Sequence, residues 1–110
     1  MLKFEYTFYL PKYVADNHGH PTGEMNFEAM NEFLHALGDN CGGYNLVSHD
    51  ACGVWYQDDL IIRDHNYIVN CTMTRDVFEN SIVPHLREFK LRMNQLAVYV
   101  TATQVEVCCV

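Results

Sequence analysis

Basic residues are scarce. Lys and Arg number 7 against 14 Asp and Glu, a formal net charge of −7 over 110 residues. A nucleic-acid groove needs clustered Lys and Arg, so none is expected. The balance suits a cationic small molecule or a basic protein partner. Mimicry of DNA is disfavoured, because the acids are scattered among apolar positions. Long hydrophobic runs are missing too. None approaches the roughly 20 residues that span a bilayer, and no signal-peptide pattern opens the chain. A soluble, cytoplasmic protein with no membrane partner is the expectation. No CxxC spacing occurs among the five cysteines, 41, 52, 71, 108 and 109. An odd count without that spacing argues against a disulfide framework and for free thiols. Gly42-Gly43 fits neither phosphate-cradling glycine pattern.

What is present is nearly half apolar, 49% by residue, and globular in composition. The length fits one domain over residues 1–110. Phe4, Tyr6, Phe8 and Leu10 alternate with polar neighbours, which predicts a strand ended by Pro11. Residues 11–25 have no period, and a connection that long is usually functional or mobile. Asn26 caps a predicted helix with Phe27, Met30, Leu34 and Leu37 on its apolar face and Gly38 as its stop. A strand follows from Tyr44 to about His49. Residues 50–59 read as a turn or hairpin excursion that Leu60-Ile61-Ile62 extends. Tyr67, Val69, Cys71 and Met73 make a third strand. Thr74 caps a second helix, which Pro84 should kink or break just before itself. Leu96 to about Val107 is the last strand.

That order, βαββαβ, is the split βαβ or ferredoxin-like arrangement. It is an α+β fold: a four-stranded antiparallel sheet with two helices on one face. The other face is bare, and the alternation puts Tyr9, Ile68 and Tyr99 on it. An uncovered apolar face points to a homo-oligomer.

Several residues suggest chemistry. His18-Gly19-His20 supplies two imidazoles, but no third ligand at a matching spacing, so a solvated loop and no metal is the expectation. His49-Asp50 and Asp64-His65 look like fragments of an acid–base site, although neighbours on a strand point to opposite faces. Cys52 near a His suggests a thiol nucleophile without a recognisable motif. The richest group is Tyr44, Trp55, Tyr56, Asp58, Asp59, Asp64 and Glu106. Aromatic faces and carboxylates together stabilise a cation. The same residues also read as an interface, with Trp55 and Tyr56 packed against another subunit and the acids in water.

The chain resembles the phage S-adenosylmethionine lyases, formerly called hydrolases. Gly42-Gly43-Tyr44-Asn45-Leu46-Val47 matches their Gly-x-Tyr-x-x-Val run. Tyr56 stands twelve residues after Tyr44, Asp64 precedes the third strand, and Val98-Tyr99 matches a Val-Tyr pair on the last strand. The chain departs from the family where Arg63-Asp64-His65 replaces paired Glu. The resemblance implies a lyase with an antirestriction role, cleaving S-adenosylmethionine to methylthioadenosine and homoserine lactone, without a cofactor and as a trimer. It implies that Tyr56 orients the methionine tail and that Asp64 holds the cationic region. Glu106 is a second carboxylate, Gly42 and Gly43 approach the adenosine, and Tyr44 and Trp55 add contacts. A second family of small ferredoxin-like proteins shares the plan and a Gly-x-Trp turn like Gly53-Val54-Trp55. It implies no chemistry, so the alternative is a non-enzymatic oligomeric binding or inhibitor protein.

Overall fold

The computed structural model describes residues 2–110. Four strands form one antiparallel sheet: β1 (Lys3–Pro11), β2 (Asn45–Gln57), β3 (Leu60–Met73) and β4 (Tyr99–Val105). Their spatial order is β2-β3-β1-β4. Helix α1 (Phe27–Cys41) follows β1. The second helical stretch follows β3 and has three parts: α2 (Arg75–Val77), a π-helical turn (Phe78–Ile82) and α3 (Val83–Arg92). The expected α+β ferredoxin-like plan is present, with both helical stretches packed on one face.

Period-two alternation on β1 builds that face. Tyr6, Phe8 and Leu10 are buried under the helices. Phe8 meets Phe33 edge-on at 5.5 Å, and Tyr6 stacks on Phe78 at 4.1 Å between centroids. Leu37, Val69, Cys71, Ile82, Phe89 and Met93 complete the core. Arg92, on the last turn of α3, ties the helices together by pairing with Glu32 and, at 3.5 Å, with Glu28 on α1.

Three local expectations shift, and a fourth is met in a specific form. Helix α1 runs through Gly38 to Cys41, and Gly42 caps it at φ 81°. An interior glycine costs only about 1 kcal/mol, whereas the left-handed cap strongly favours glycine, so the stop falls at the later one. The segment 50–59 is a paired ladder, not a loose excursion: β2 continues to Gln57 and turns at Asp58, φ 53°. The last strand starts at Tyr99, three residues later than expected, because Asn94 (φ 52°) and Gln95 spend their amides on the loop after β1. Asn94 Nδ2 donates to Ala15 O at 2.9 Å and Gln95 Nε2 to Tyr13 O at 3.4 Å. The break expected before Pro84 is the π-helical turn. Pro84 lacks an N–H and crowds the carbonyl four residues back, and the wider turn accommodates both.

The loop 12–26 is ordered by its own bonds. Asp16 Oδ1 accepts from the backbone N–H groups of His18 (2.8 Å) and His20 (3.0 Å), and these hold the Asp16 carboxyl below its ordinary titration. Among the described residues, no helix is long and apolar enough to cross a membrane.

Phe8→Ala should remove about 3–5 kcal/mol of stability, since the ring is fully buried between β1 and α1. Chemical denaturation followed by circular dichroism measures it.

Candidate functional site

β1 stops at Pro11, paired with Asn66, so β3 residues 60–65 pair with β2 alone. The β2–β3 hairpin therefore projects as an arm. Two register irregularities, between Leu46 and Ser48 and between Ser48 and Ala51, bend β2 where the arm leaves the sheet. The arm curls over the open face, and the Trp55 ring comes to 6.0 Å from Tyr99, a residue of the far edge strand. Tyr99 lies 5.3 Å from Tyr9, its partner across β1–β4.

Beneath these rings is a cavity of about 320 Å³, lined by Tyr9, Trp55, Ile62, Asp64, Asn66 and Tyr99, with Gly19 and the segment 94–98 at its margin. Its volume is in the range of small-molecule sites. Asp64 supplies the carboxylate. Burial raises its pKa above the ordinary value, opposed by the neighbouring Trp55 indole N–H and the charges of His65 and His20. A carboxylate kept part-way out of water and walled by three aromatic rings is suited to a soft cation.

Gly53 makes this arrangement fit. It pairs with Asp64, and a Cβ there would stand 3.2 Å from Asn66 Nδ2 and 3.3 Å from Trp55 Nε1. At Gly19, φ 85°, a Cβ would meet Ile62 Cδ1 at 3.4 Å.

The residues singled out in the sequence separate into six places. Trp55 and Asp64 share the cavity. Tyr56 points from the reverse face of the arm and is 79% exposed. Gly42 and Gly43 sit at the end of α1, where the Cys71 thiol donates to Gly43 O at 3.1 Å. Tyr44 lines a separate hollow against α1 with His35 and Asp39. Glu106 follows β4 at its Lys3 end, seven residues beyond Tyr99 or about 23 Å of extended chain. Within one chain only Trp55 and Asp64 come together. Asp58 and Asp59 occupy the hairpin turn. His18 and His20 offer their backbone N–H groups to Asp16, and no three His, Cys, Asp or Glu side chains converge as a metal site among the described residues. Tyr9 and Tyr99 were visible as bare-face residues, but their place in the cavity depends on the curl of the arm. Asn66 gave no signal and Gly53 stood out only within a Gly-x-Trp turn, since their place at the cavity is fixed by register.

No protein-family model matches the chain, and no curated protein sequence matches it. Solved structures do. CutA1 from Oryza sativa aligns with a TM-score of 0.67 at 10% identity, over 99% of this chain and 84% of its own. A phage SAM lyase in complex with S-methyl-5'-thioadenosine aligns at 0.61 and 13% identity, over 96% and 90%. The divalent ion tolerance protein CutA1 from Ehrlichia chaffeensis aligns at 0.52 and 10%, over 98% and 84%. At these identities the likeness is one of fold, shared by proteins with different names and roles.

Two outcomes test the cavity. Gly53→Val should displace Trp55 and shift its fluorescence while far-UV circular dichroism stays native; as the sole Trp, it reports unambiguously. Asp64→Asn should raise the melting temperature at neutral pH. A carboxyl whose folded pKa is raised binds more protons when native, so its ionisation costs stability, and the neutral amide avoids that cost. An unchanged or lower melting temperature would contradict it.

Proposed function

We propose that this protein is an S-adenosylmethionine lyase, acting as a trimer and serving an antirestriction role in phage. The observation that carries the reading is Asp64, part-buried among Tyr9, Trp55 and Tyr99. The sulfonium of S-adenosylmethionine is a soft cation beside an adenosine ring, and aromatic walls with one carboxylate complement both. The solved lyase of like fold, bound to S-methyl-5'-thioadenosine, adds support.

The chemistry asks little of the protein. The substrate's own carboxylate attacks its γ-carbon. The C–S bond breaks, methylthioadenosine leaves with the electron pair, and homoserine lactone forms. The sulfonium needs no proton to leave, and the nucleophile is internal. Catalysis then rests on folding the methionine tail into an attacking conformer, an effect that supplies several kcal/mol. Asp64 holds the ammonium or sulfonium region. Trp55, Tyr9 and Tyr99 enclose the cation. Tyr56, exposed on the reverse face of the arm, orients the tail of a substrate bound at a neighbouring subunit. Gly42, Gly43, Tyr44 and Glu106 join the site across the same subunit boundary.

A second reading has its own observation. Val54, Tyr56, Leu60 and Ile61 are exposed together on the arm, as in a domain that associates through it. That favours a non-enzymatic oligomeric binding protein.

Incubation with S-adenosylmethionine should yield methylthioadenosine and homoserine lactone on chromatography, and Asp64→Asn should reduce turnover by at least about a hundredfold. Ionised Asp64 is the binding form, and its pKa is raised. Affinity should therefore fall as pH drops through a range above ordinary carboxylate titration, and Asp64→Asn should flatten that dependence. No product and no thermal shift with S-adenosylmethionine or methylthioadenosine would leave the binding-protein reading standing.

A further inference from the structure

The reverse face of the arm carries a second set of reactive groups, separate from the cavity. Antiparallel register pairs Cys52 with His65 directly. Directly opposed residues share a face and hold their Cβ atoms about 4.5–5.5 Å apart, which a thiol and an imidazole span by side-chain rotation. His65 is already engaged on its other side: Nδ1 lies 2.8 Å from Asp50 Oδ1. Asp50 Oδ1, an ionised carboxylate oxygen, only accepts, so His65 Nδ1 carries a proton and, in the neutral imidazole, Nε2 keeps its lone pair. A thiol, an imidazole with a free basic nitrogen, and a carboxylate that fixes its tautomer thus occur in sequence along one ladder. In sequence, Asp50 and Cys52 sit fifteen and thirteen positions from His65. The paired hairpin brings them together.

Cationic and aromatic side chains gather around His65. Lys12, from the loop after β1, donates its backbone N–H to His65 O at 2.8 Å, and its charge acts on Asp50 along with His65 and His49. Tyr13 meets the His65 ring edge-on at 5.8 Å. Lys12 Nζ lies over the rings of Tyr13 and Tyr67 at 5.7 and 6.0 Å. Arg63, two residues before His65, shares its face. Lys12 and Arg63 bring positive charge to this side of the arm on a chain of net charge −7.

We propose that Cys52, His65 and Asp50 form a thiol–imidazole–carboxylate site that undergoes exchange with low-molecular-weight disulfides. His65 Nε2 takes the Cys52 proton. The thiolate attacks one sulfur of the disulfide, and a new S–S bond forms while the old one breaks. The departing sulfur leaves with the electron pair as a thiolate and collects the proton from His65. Cys52 is oxidised to a mixed disulfide, and one equivalent of small thiol is released. This side of the arm suits an anionic disulfide such as glutathione disulfide, whose carboxylates Lys12 and Arg63 attract. Cys52 is exposed, as the reaction requires.

The other cysteines provide controls. Cys71 is buried, and burial and the neighbouring Cys41 push its thiol up to about 12, so it stays inert. Cys108 and Cys109 are exposed beyond β4. The full chain is incubated with glutathione disulfide, and adducts are quantified at each cysteine by peptide mass spectrometry over time. At pH 7, Cys52 should react about tenfold faster than Cys108 or Cys109, within the roughly thirtyfold that ionisation allows an ordinary thiol titrating near 8.5. The excess should shrink at alkaline pH, where a thiolate forms without help from a base, and should be lost at pH 7 in His65→Gln and in Asp50→Asn. Reaction of Cys52 at the rate of the tail cysteines would overturn the proposal, and that comparison needs no variant. An excess that survives in both variants would overturn it as well.

Discussion

The backbone ladder between β2 and β3 is the constraint on which the rest depends. It runs from Asn45–Asn70 to Gln57–Leu60, and its outer half extends past the end of β1. There the arm has no helix beneath it and is held by its own hydrogen bonds and cross-strand pairs. The two irregularities in β2 set its direction. With them Trp55 closes on Tyr99 and roofs a cavity in which Asp64 is partly removed from water. The geometry and the electrostatics of the site therefore share one cause.

The likeness to solved structures gives the plan of the chain and leaves its chemistry to be read from side chains. CutA1 proteins and a phage SAM lyase share this arrangement with the present chain at 10–13% identity. A four-stranded sheet with one bare face is a scaffold on which unrelated sites are built. The chemistry of this chain lies in the groups on the arm: an indole and a carboxyl on one face, a thiol and an imidazole on the other.

Much of the fold was legible in sequence because alternation on β1 and β3 and helical spacing after Asn26 and Thr74 are strong periodic signals. Phe8, Leu37 and Cys71 fell in the core as expected. The arm was harder. Residues 50–59 mix Gly, Cys, Trp and acids without clean alternation, so pairing across the hairpin decides their structure, not local propensity. The site suffered most. Trp55 and Asp64 were recognisable by type, yet Tyr9 and Tyr99 join them only through the curl of the arm. Gly53 matters because a Cβ would crowd groups thirteen positions and two positions along the chain, Asn66 and Trp55. Such a role has no local signature.

The strict alternation of the arm also limits how its length can change over evolutionary time. Successive residues of a strand face opposite ways, so an insertion or deletion of one residue in β2 between the bend and Trp55 would turn the indole outward and exchange the chemistry of the two surfaces. A change of two residues would keep each group on its own side and move it by one repeat. Drift in this hairpin should therefore proceed in even steps, and any homologue with an odd change should carry a compensating bulge.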